Sequence, residues 1–195
     1  GTDRVLRYAF DLARSRPRRQ LTMVTKSNAQ RHAMVMWDDI FELVRADYAD
    51  VAADRMLVDA MTTRMVLKPA SLGVIVASNL HADILSDLAA ALSSSLGIAP
   101  TGNINPERTF PSMFEPIHGS AFDIMGKGIA NPIGTFWSVA LLLDHLGEAK
   151  AAARLMAAVE TVTARREVRT PDLGGTATTA AVTQAVCAAL AGSNR

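Results

Sequence analysis

The chain has 195 residues, a formal net charge of +1 and 49% hydrophobic residues. This composition supports a packed core and excludes a disordered chain, and the near-neutral charge gives no general drive toward nucleic acid or membrane surfaces. The single cysteine, Cys187, excludes a disulfide framework and a cysteine-based metal site, and we expect it to be a buried core thiol. Because no apolar run is long enough to span a membrane, we expect a cytoplasmic protein.

The first half of the chain alternates strand and helix patterns. Short apolar runs such as LTMVT and LGVIVA indicate strands, and apolar residues at helical spacing indicate helices. The predicted strands cover residues 21–25, 51–59 (or a strand-to-helix passage there) and 72–77. The predicted helices cover residues 3–16, 30–47, 60–67 and 78–96, with Asp3 capping the first and Ser78 or Asn79 the last. This alternation predicts an α/β fold.

The second half begins with a long loop-rich stretch, residues 98–129, in which residues 110–114 are a candidate strand. A loop of this length in a compact domain is usually functional. Helices are then predicted from Asn131 to Gly147, over residues 149–164, and from a cap at Thr176 to residue 191. No linker separates two domains cleanly, and residues 92–104 are the best place for a soft boundary.

Two carboxylates in SNLHADILSDLA, Asp83 and Asp87, are four residues apart on a predicted helix. They therefore share one face, about 5–6 Å apart at Cβ, where like charges repel unless a divalent cation binds them. From spacing alone, acids that favour a helix N-terminus are the commoner explanation, although Asp87 lies too deep in the helix to be a cap. Asp59 is a further oxygen donor suited to Mg²⁺ or Mn²⁺.

Two further segments carry polar groups that suit a ligand. Lys26, at the end of a predicted strand in TKSN, is a candidate clamp or general base, or an ordinary surface lysine. In EPIHGSAFD, His118 can stack on a flat ligand and backbone N–H groups near Gly119 can meet phosphate, unless this is an ordinary loop. The sequence contains no glycine-rich dinucleotide motif, P-loop, HExxH or nucleophile elbow.

Residues 26–175 resemble the C-terminal part of the metal-dependent β-decarboxylating dehydrogenases, which act on isocitrate, isopropylmalate, tartrate or D-malate. The motifs that carry the resemblance are TKSN (25–28), the Asp59 segment, SNLHADILSD (78–87), GIAP (97–100), NPER (105–108), EPIHGSAFDIMGKGIANP (115–132) and TPDLGGTATT (170–179). The opening RYAFDLARSRPRR, NPERTFPSMFEP and the TPDLGGTATT tail are most similar to the tartrate/D-malate branch.

The resemblance implies an isopropylmalate/isocitrate dehydrogenase-like α/β fold that lacks roughly the N-terminal half. Residues 1–95 would be the central domain, with the dimer surface and metal site, and residues 96–195 an incomplete C-terminal part of the cofactor-binding domain. The implied activity is NAD- and Mg²⁺- or Mn²⁺-dependent oxidation, with decarboxylation, of a 2-hydroxy acid such as tartrate or D-malate.

The resemblance also implies residue roles. Asp83 and Asp87 would bind the metal with Asp59 from a second copy, and Lys26 would reach across from that copy to the substrate hydroxyl, so that a homodimer shares its active sites. The residues that would hold the cofactor are Asn28, Glu115, His118, Gly119, Ser120, Ala121, Asp123 and Asn131. A carboxylate such as Asp123 beside the adenosine ribose would repel a 2′-phosphate, which favours NAD over NADP.

Two short segments depart from the family pattern, which has Phe-Gly where this chain has His81-Ala82 and Pro where it has Phe122. We expect His81 to be a tolerated surface change, and Ala82 to be harmless if its φ is helical. Phe122 would loosen the cofactor loop or stack on adenine. Two alternatives stay open: a truncated, catalytically silent homologue, or one fragment of a longer or split enzyme whose partner is a separate N-terminal half.

Overall fold

The computed structural model describes residues 1–93 and 97–192, and the chain divides into two compact units, Gly1–Leu92 and Ser93–Arg195. The strands are β1 Gln20–Thr25, β2 Ala52–Leu57, β3 Val74–Val76, β4 Pro100–Asn103 and β5 Met113–Pro116. The α-helices are α1 Thr2–Ser15, α2 Ala33–Arg45, α3 Val58–Leu67, α4 Asn79–Leu92, α5 Ile133–His145, α6 Ala149–Thr163 and α7 Thr179–Gly192. No helix in these described ranges is long and apolar enough to cross a membrane.

The first unit is a three-stranded parallel sheet, in the order β2-β1-β3, with helices on both faces. Side chains of a strand alternate between faces, and β1 is buried on both. Leu21 and Met23 pack with α1 and α2, where Phe10 stacks on Phe41 with ring centroids 5.6 Å apart. Val24 points to the opposite face and packs with α3 and α4. The carboxyl ends of the three strands therefore lie at one edge between two covered faces.

The second unit joins a two-stranded antiparallel hairpin to three helices. In the hairpin, β4 pairs with β5 from Pro100 opposite Pro116 to Asn103 opposite Met113. The core residues come mainly from α5, α6 and α7: Ile133, Ala140, Leu155, Ala158, Val159, Val162, Val182 and Val186. Because the hairpin packs on α5, the end of β5 and the start of α5 lie close to each other.

Several local predictions were wrong. Helix α4 ends at Leu92 rather than at Leu96, and residues 94–96 lie outside the described residues. Strand β4 (PTGN) lies inside the predicted loop, because pairing with β5 overrides the turn preference of Pro, Gly and Asn. The structure also changes three smaller assignments: Gly1 rather than Asp3 is the N-cap of α1, Thr178 rather than Thr176 caps α7, and Cys187 is exposed.

Candidate functional site

The carboxyl edge of the sheet brings Lys26 and Asp59 together. Strands β1 and β2 are parallel, with Thr25 opposite Leu57, so the residues that follow them leave the sheet at the same place. Lys26 follows β1 directly, and Asp59 lies in the first turn of α3. The Lys26 ammonium donates a hydrogen bond to the Asp59 carboxylate and forms an ion pair with it. Two predicted site residues, separated by 33 positions, therefore meet within one chain.

This ion pair sets the electrostatics of Asp59. The hydrogen bond from Lys26 lowers the pKa of Asp59 below its ordinary value, and a backbone hydrogen bond at the start of α3 lowers it further. The Asp59 side chain is largely exposed and Lys26 is half-buried. Asp59 is therefore held as a carboxylate that remains accessible from solvent. Asn28, in the turn after Lys26, is exposed as well.

Asp83 and Asp87 lie on the outer face of α4, and both are exposed. The helix begins after β3, where the hydroxyl of Ser78 accepts a hydrogen bond from the His81 backbone N–H at 3.5 Å, so Ser78 is the cap. Neither carboxylate has an ion-pair partner within the described part of the chain. The pair therefore presents two uncompensated negative charges to solvent.

The donor set fits Mg²⁺ or Mn²⁺ but is incomplete in one chain. Both ions prefer oxygen ligands, and Mg²⁺ is commonly held by one or two carboxylates together with water and substrate. Among residues 1–93 and 97–192, no three acidic, His or Cys side chains come together as a metal site, so Asp59 does not join Asp83 and Asp87. The assignment of the third ligand to a second copy stays a prediction.

His81 is not the surface residue that we expected. Its side chain is only 4% exposed, and its Nδ1 is buried with no hydrogen-bond partner in the part of the chain that the structure describes. It lies four residues before the buried Leu85, on the inner face of α4 and opposite the face that bears Asp83 and Asp87. Ala82 lies within the helix and does not have a positive φ, so the absence of a glycine there carries no backbone strain.

In the second unit, Asn131 lies just before α5, and the first turn of α5 lies near His118. Gly134, in the first turn of α5, packs so closely on the end of β5 that an added Cβ would lie 3.2 Å from Pro116 Cβ and 3.6 Å from His118 Nε2. Asn131 Oδ1 accepts a hydrogen bond from the Ile133 backbone N–H at 3.0 Å. Helix α5 begins at Ile133, so its N-cap is Pro132 rather than the predicted Asn131.

Four of the other predicted cofactor residues lie on the exposed loop between β5 and α5: Gly119, Ser120, Ala121 and Asp123. Glu115 is exposed on β5. Ala121 has a φ of 43°, in the left-handed region that costs a non-glycine residue about 1 kcal/mol or more. The following Phe122 is 79% exposed, so within the chain it packs on very little. The loop therefore presents an aromatic ring and several polar groups to solvent.

Asp172, for which the sequence predicts no role, also lies at this site. Asn131 Nδ2 donates a hydrogen bond to Asp172 Oδ2 at 2.9 Å. The same carboxylate oxygen lies where a side chain on Gly97 would be, 2.4 Å from the position of an added Cβ. The signal that was available is the PDLGG turn, in which Pro and two glycines fix the position of the Asp between them.

Comparison with known proteins gives the family. The family model for isocitrate/isopropylmalate dehydrogenase matches residues 1–188. The chain belongs to this family. A probable tartrate dehydrogenase/decarboxylase from Agrobacterium vitis is 69% identical over 194 residues, which cover 100% of this chain and 54% of that protein. The D-malate dehydrogenase [decarboxylating] of Escherichia coli (strain K12) is 50% identical over 192 residues, which cover 96% of this chain and 53% of that protein.

Solved structures of the family share the fold. The crystal structure of isocitrate dehydrogenase from Methylococcus capsulatus matches with a TM-score of 0.90 at 38% identity, and covers 97% of this chain and 56% of that one. The predicted resemblance and the predicted isocitrate/isopropylmalate dehydrogenase-like α/β fold are thus confirmed. The chain spans about half the length of the curated relatives it matches.

Proposed function

We propose that this chain carries the metal-binding residues and part of the cofactor site of an NAD-dependent, Mg²⁺- or Mn²⁺-dependent dehydrogenase. The reaction is the oxidation, with decarboxylation, of a 2-hydroxy acid such as tartrate or D-malate. One observation carries the proposal: the exposed carboxylates Asp83 and Asp87, which have no ion-pair partner among the described residues, occur in a chain 69% identical over 194 residues to a probable tartrate dehydrogenase/decarboxylase. An exposed pair of like charges is unfavourable by itself and is explained by a cation.

In this proposal, Asp83, Asp87 and Asp59 hold the metal ion through carboxylate oxygens. The cation supplies Lewis-acid polarisation of the substrate oxygens when it is bound. Lys26 is held at the carboxyl edge of the sheet by Asp59, and its Nζ orients the 2-hydroxyl group by hydrogen bonding.

A homodimer completes the site in this proposal. The outer faces of α3 and α4, which carry Asp59 and the Asp83–Asp87 pair, also expose large apolar side chains: Val66 and Leu67 on α3, and Leu80 and Ile84 on α4. Apolar surface that adjoins charged ligands favours burial against another protein surface. Placing a second copy there brings its Asp59 and Lys26 to the α4 carboxylates of the first.

Residues of the second unit hold NAD in this proposal. These residues are Glu115 on β5 and, between β5 and α5, His118, Gly119, Ser120, Ala121, Asp123 and Asn131. NAD supplies the hydride acceptor. Asp123 accepts hydrogen bonds from the adenosine ribose and repels a 2′-phosphate. The variant Asp123→Ala is therefore expected to lose part of the preference for NAD over NADP, measured as the ratio of the two dissociation constants; an unchanged ratio removes this role.

The metal assignment is tested by titrating the chain with Mn²⁺ and following free Mn²⁺ by electron paramagnetic resonance. Asp87→Ala is expected to abolish binding, because one carboxylate cannot replace the pair. Asp39→Ala is the matched control, since Asp39 is also an exposed helical acid, on α2, and it should leave the affinity unchanged. Equal Mn²⁺ affinity in Asp87→Ala and the unaltered chain contradicts the assignment.

A second candidate is that the chain acts as one fragment of a longer or split enzyme, with a separate N-terminal half as partner. The observation that favours it is exposed apolar surface in the second unit. Val139 and Leu142 on α5 form a stripe with Leu146, which follows the helix, and Phe110 and Met113 are also exposed. Such a stripe is typical of a helix that is covered by further protein.

Activity measurements separate these possibilities. The purified chain is incubated with NAD, Mn²⁺ and D-malate or tartrate, alone and with the separately produced N-terminal half of the Agrobacterium vitis relative. NADH formation by the chain alone contradicts the silent homologue. NADH formation only after the added half supports the fragment, and no NADH in either mixture, with Mn²⁺ still bound, favours the silent homologue.

A further inference from the structure

The turn that carries Asp172 is rigid for backbone reasons. Residues 170–175 close on themselves through hydrogen bonds from the Gly174 and Gly175 backbone N–H groups to the carbonyl groups of Pro171 and Thr170, each at 3.0 Å. Gly174 has a φ of 73°, which favours glycine. A Cβ on Gly175 would lie 1.9 Å from a backbone oxygen, so only glycine fits. The turn therefore presents the Asp172 carboxylate in a fixed place.

The segment that leads into α5 is held by the same stretch of chain. The backbone N–H of Thr179, at the start of α7, donates to the Gly128 carbonyl at 2.8 Å, and its hydroxyl donates to the Ala130 carbonyl at 2.5 Å. Asp172 adds the contact to Asn131. The TPDLGGTATT motif thus contacts residues 128–131 in three places.

These contacts fix which way the Asn131 amide points. A carboxylate only accepts hydrogen bonds and a backbone N–H only donates, so Asp172 must face Nδ2 and Ile133 must face Oδ1. Both demands select the same orientation of the amide. After these two bonds, Asn131 keeps one N–H and one oxygen lone pair for a ligand.

We propose that Asp172 is a positioning residue for the cofactor: it fixes the Asn131 amide so that its free donor and acceptor meet NAD in one arrangement, and the missing side chain of Gly97 leaves room for it. This inference rests on the proposed function, in which Asn131 binds NAD. Without Asp172, only the Ile133 N–H still selects the orientation of the amide, so the amide is held by one hydrogen bond instead of two.

A double-mutant cycle on NAD affinity tests the inference, with dissociation constants measured by calorimetry on the full chain. Asp172→Ala is expected to raise the NAD dissociation constant about tenfold, the effect of losing one well-placed hydrogen bond. In an Asn131→Ala background the same change should have no further effect, because Asp172 acts only through Asn131. Asp144→Ala removes another exposed acid and should change nothing.

The outcomes distinguish this inference from the proposed function. If the unaltered chain does not bind NAD, or if Asn131→Ala binds NAD as tightly as the unaltered chain, the proposed role of Asn131 fails and the inference fails with it. If Asn131→Ala weakens binding and Asp172→Ala does not, or if the two effects add, only the inference is overturned.

A cofactor-free measurement gives an independent test. In nitrogen-15 NMR spectra, the Asn131 side-chain amide should show two well-separated proton resonances that collapse toward the exposed-amide positions in Asp172→Ala. The variant Gly97→Ala should give the same change, because its Cβ displaces the carboxylate. An Asn131 amide signal that is unaffected by Asp172→Ala overturns the inference.

Discussion

Replacing His81 by phenylalanine is expected to stabilise the first unit. The His81 Nδ1 is buried and has no hydrogen-bond partner within residues 1–93 and 97–192, and such an unpaired polar atom costs about 1–3 kcal/mol. Phenylalanine removes this cost, and helix propensity hardly changes between the two residues. The phenylalanine ring is larger than the imidazole ring, and overpacking offsets part of this stabilisation. We therefore expect a net increase of about 1 kcal/mol in the free energy of unfolding. For a unit of this size the melting temperature rises by about 4–8 °C.

The assay is urea unfolding followed by tryptophan fluorescence in a Trp137→Phe background. Trp37 is then the sole tryptophan, and it packs against the core of the first unit, so the signal reports that unit. His81→Asn is the matched control, because it keeps a buried polar side chain and should lower the midpoint. Mn²⁺ affinity should not change, since His81 and the acids Asp83 and Asp87 lie on opposite faces of α4.

One result refutes this reasoning. If His81→Phe and the smaller His81→Leu both lower the free energy of unfolding by about 1 kcal/mol or more, loss of a favourable interaction outweighs removal of the unpaired atom. Testing both side chains separates that outcome from overpacking, which affects the larger ring alone.

Two further predictions follow from contacts in the two units. Lys26→Met should raise the pKa of Asp59 toward its ordinary value, because the lowered pKa comes chiefly from the Lys26 hydrogen bond; a carboxyl carbon NMR titration measures it. Because the pKa of Asp59 is lower in the folded than in the unfolded chain, the ion pair stabilises the folded chain at pH values above the unfolded pKa. This stabilisation is lost as the pH falls through the folded pKa, and Lys26→Met should lose this pH dependence of the free energy of unfolding. Gly175→Ala should destabilise the second unit by at least about 2 kcal/mol, because its Cβ meets the Arg169 carbonyl oxygen at 1.9 Å. Gly119→Ala, whose Cβ has open space, should stay within about 0.5 kcal/mol. Both variants are compared by urea unfolding in a Trp37→Phe background, where the remaining Trp137 on α5 reports the second unit.

The elements of the fold that could be predicted are those whose structure follows from the residues of the element itself. Strand β1 is buried on both faces, and an apolar run such as LTMVT is the direct consequence of that burial. Strand β4 has no such local signal, because PTGN is extended only through its pairing with β5, ten or more residues away. Burial of His81 could have been predicted: His81, Leu85 and Leu88 share a helical face.

The contacts of the candidate site likewise divide into those that a local sequence pattern predicts and those that it does not. The shared face of Asp83 and Asp87 follows from the period of the helix alone. The Lys26–Asp59 pair needs the register of two parallel strands, which no local pattern contains. The contact between Asn131 and Asp172 joins positions 41 apart and depends on how the 170–175 turn packs. Long-range contacts of this kind require the structure.

Charge balance links metal binding to assembly. In one chain Asp59 is neutralised by Lys26, whereas Asp83 and Asp87 have no cationic partner among the described residues. Three carboxylates and one ammonium give a net charge of −2, which a divalent cation neutralises. If the Lys26–Asp59 pair of a second copy completes the site, metal binding and dimerisation must strengthen each other by the same factor. Sedimentation velocity should then show Mn²⁺ shifting the chain toward dimer, and Asp87→Ala should remove the shift; a sedimentation profile that Mn²⁺ leaves unchanged, in a chain that binds it, contradicts the shared site.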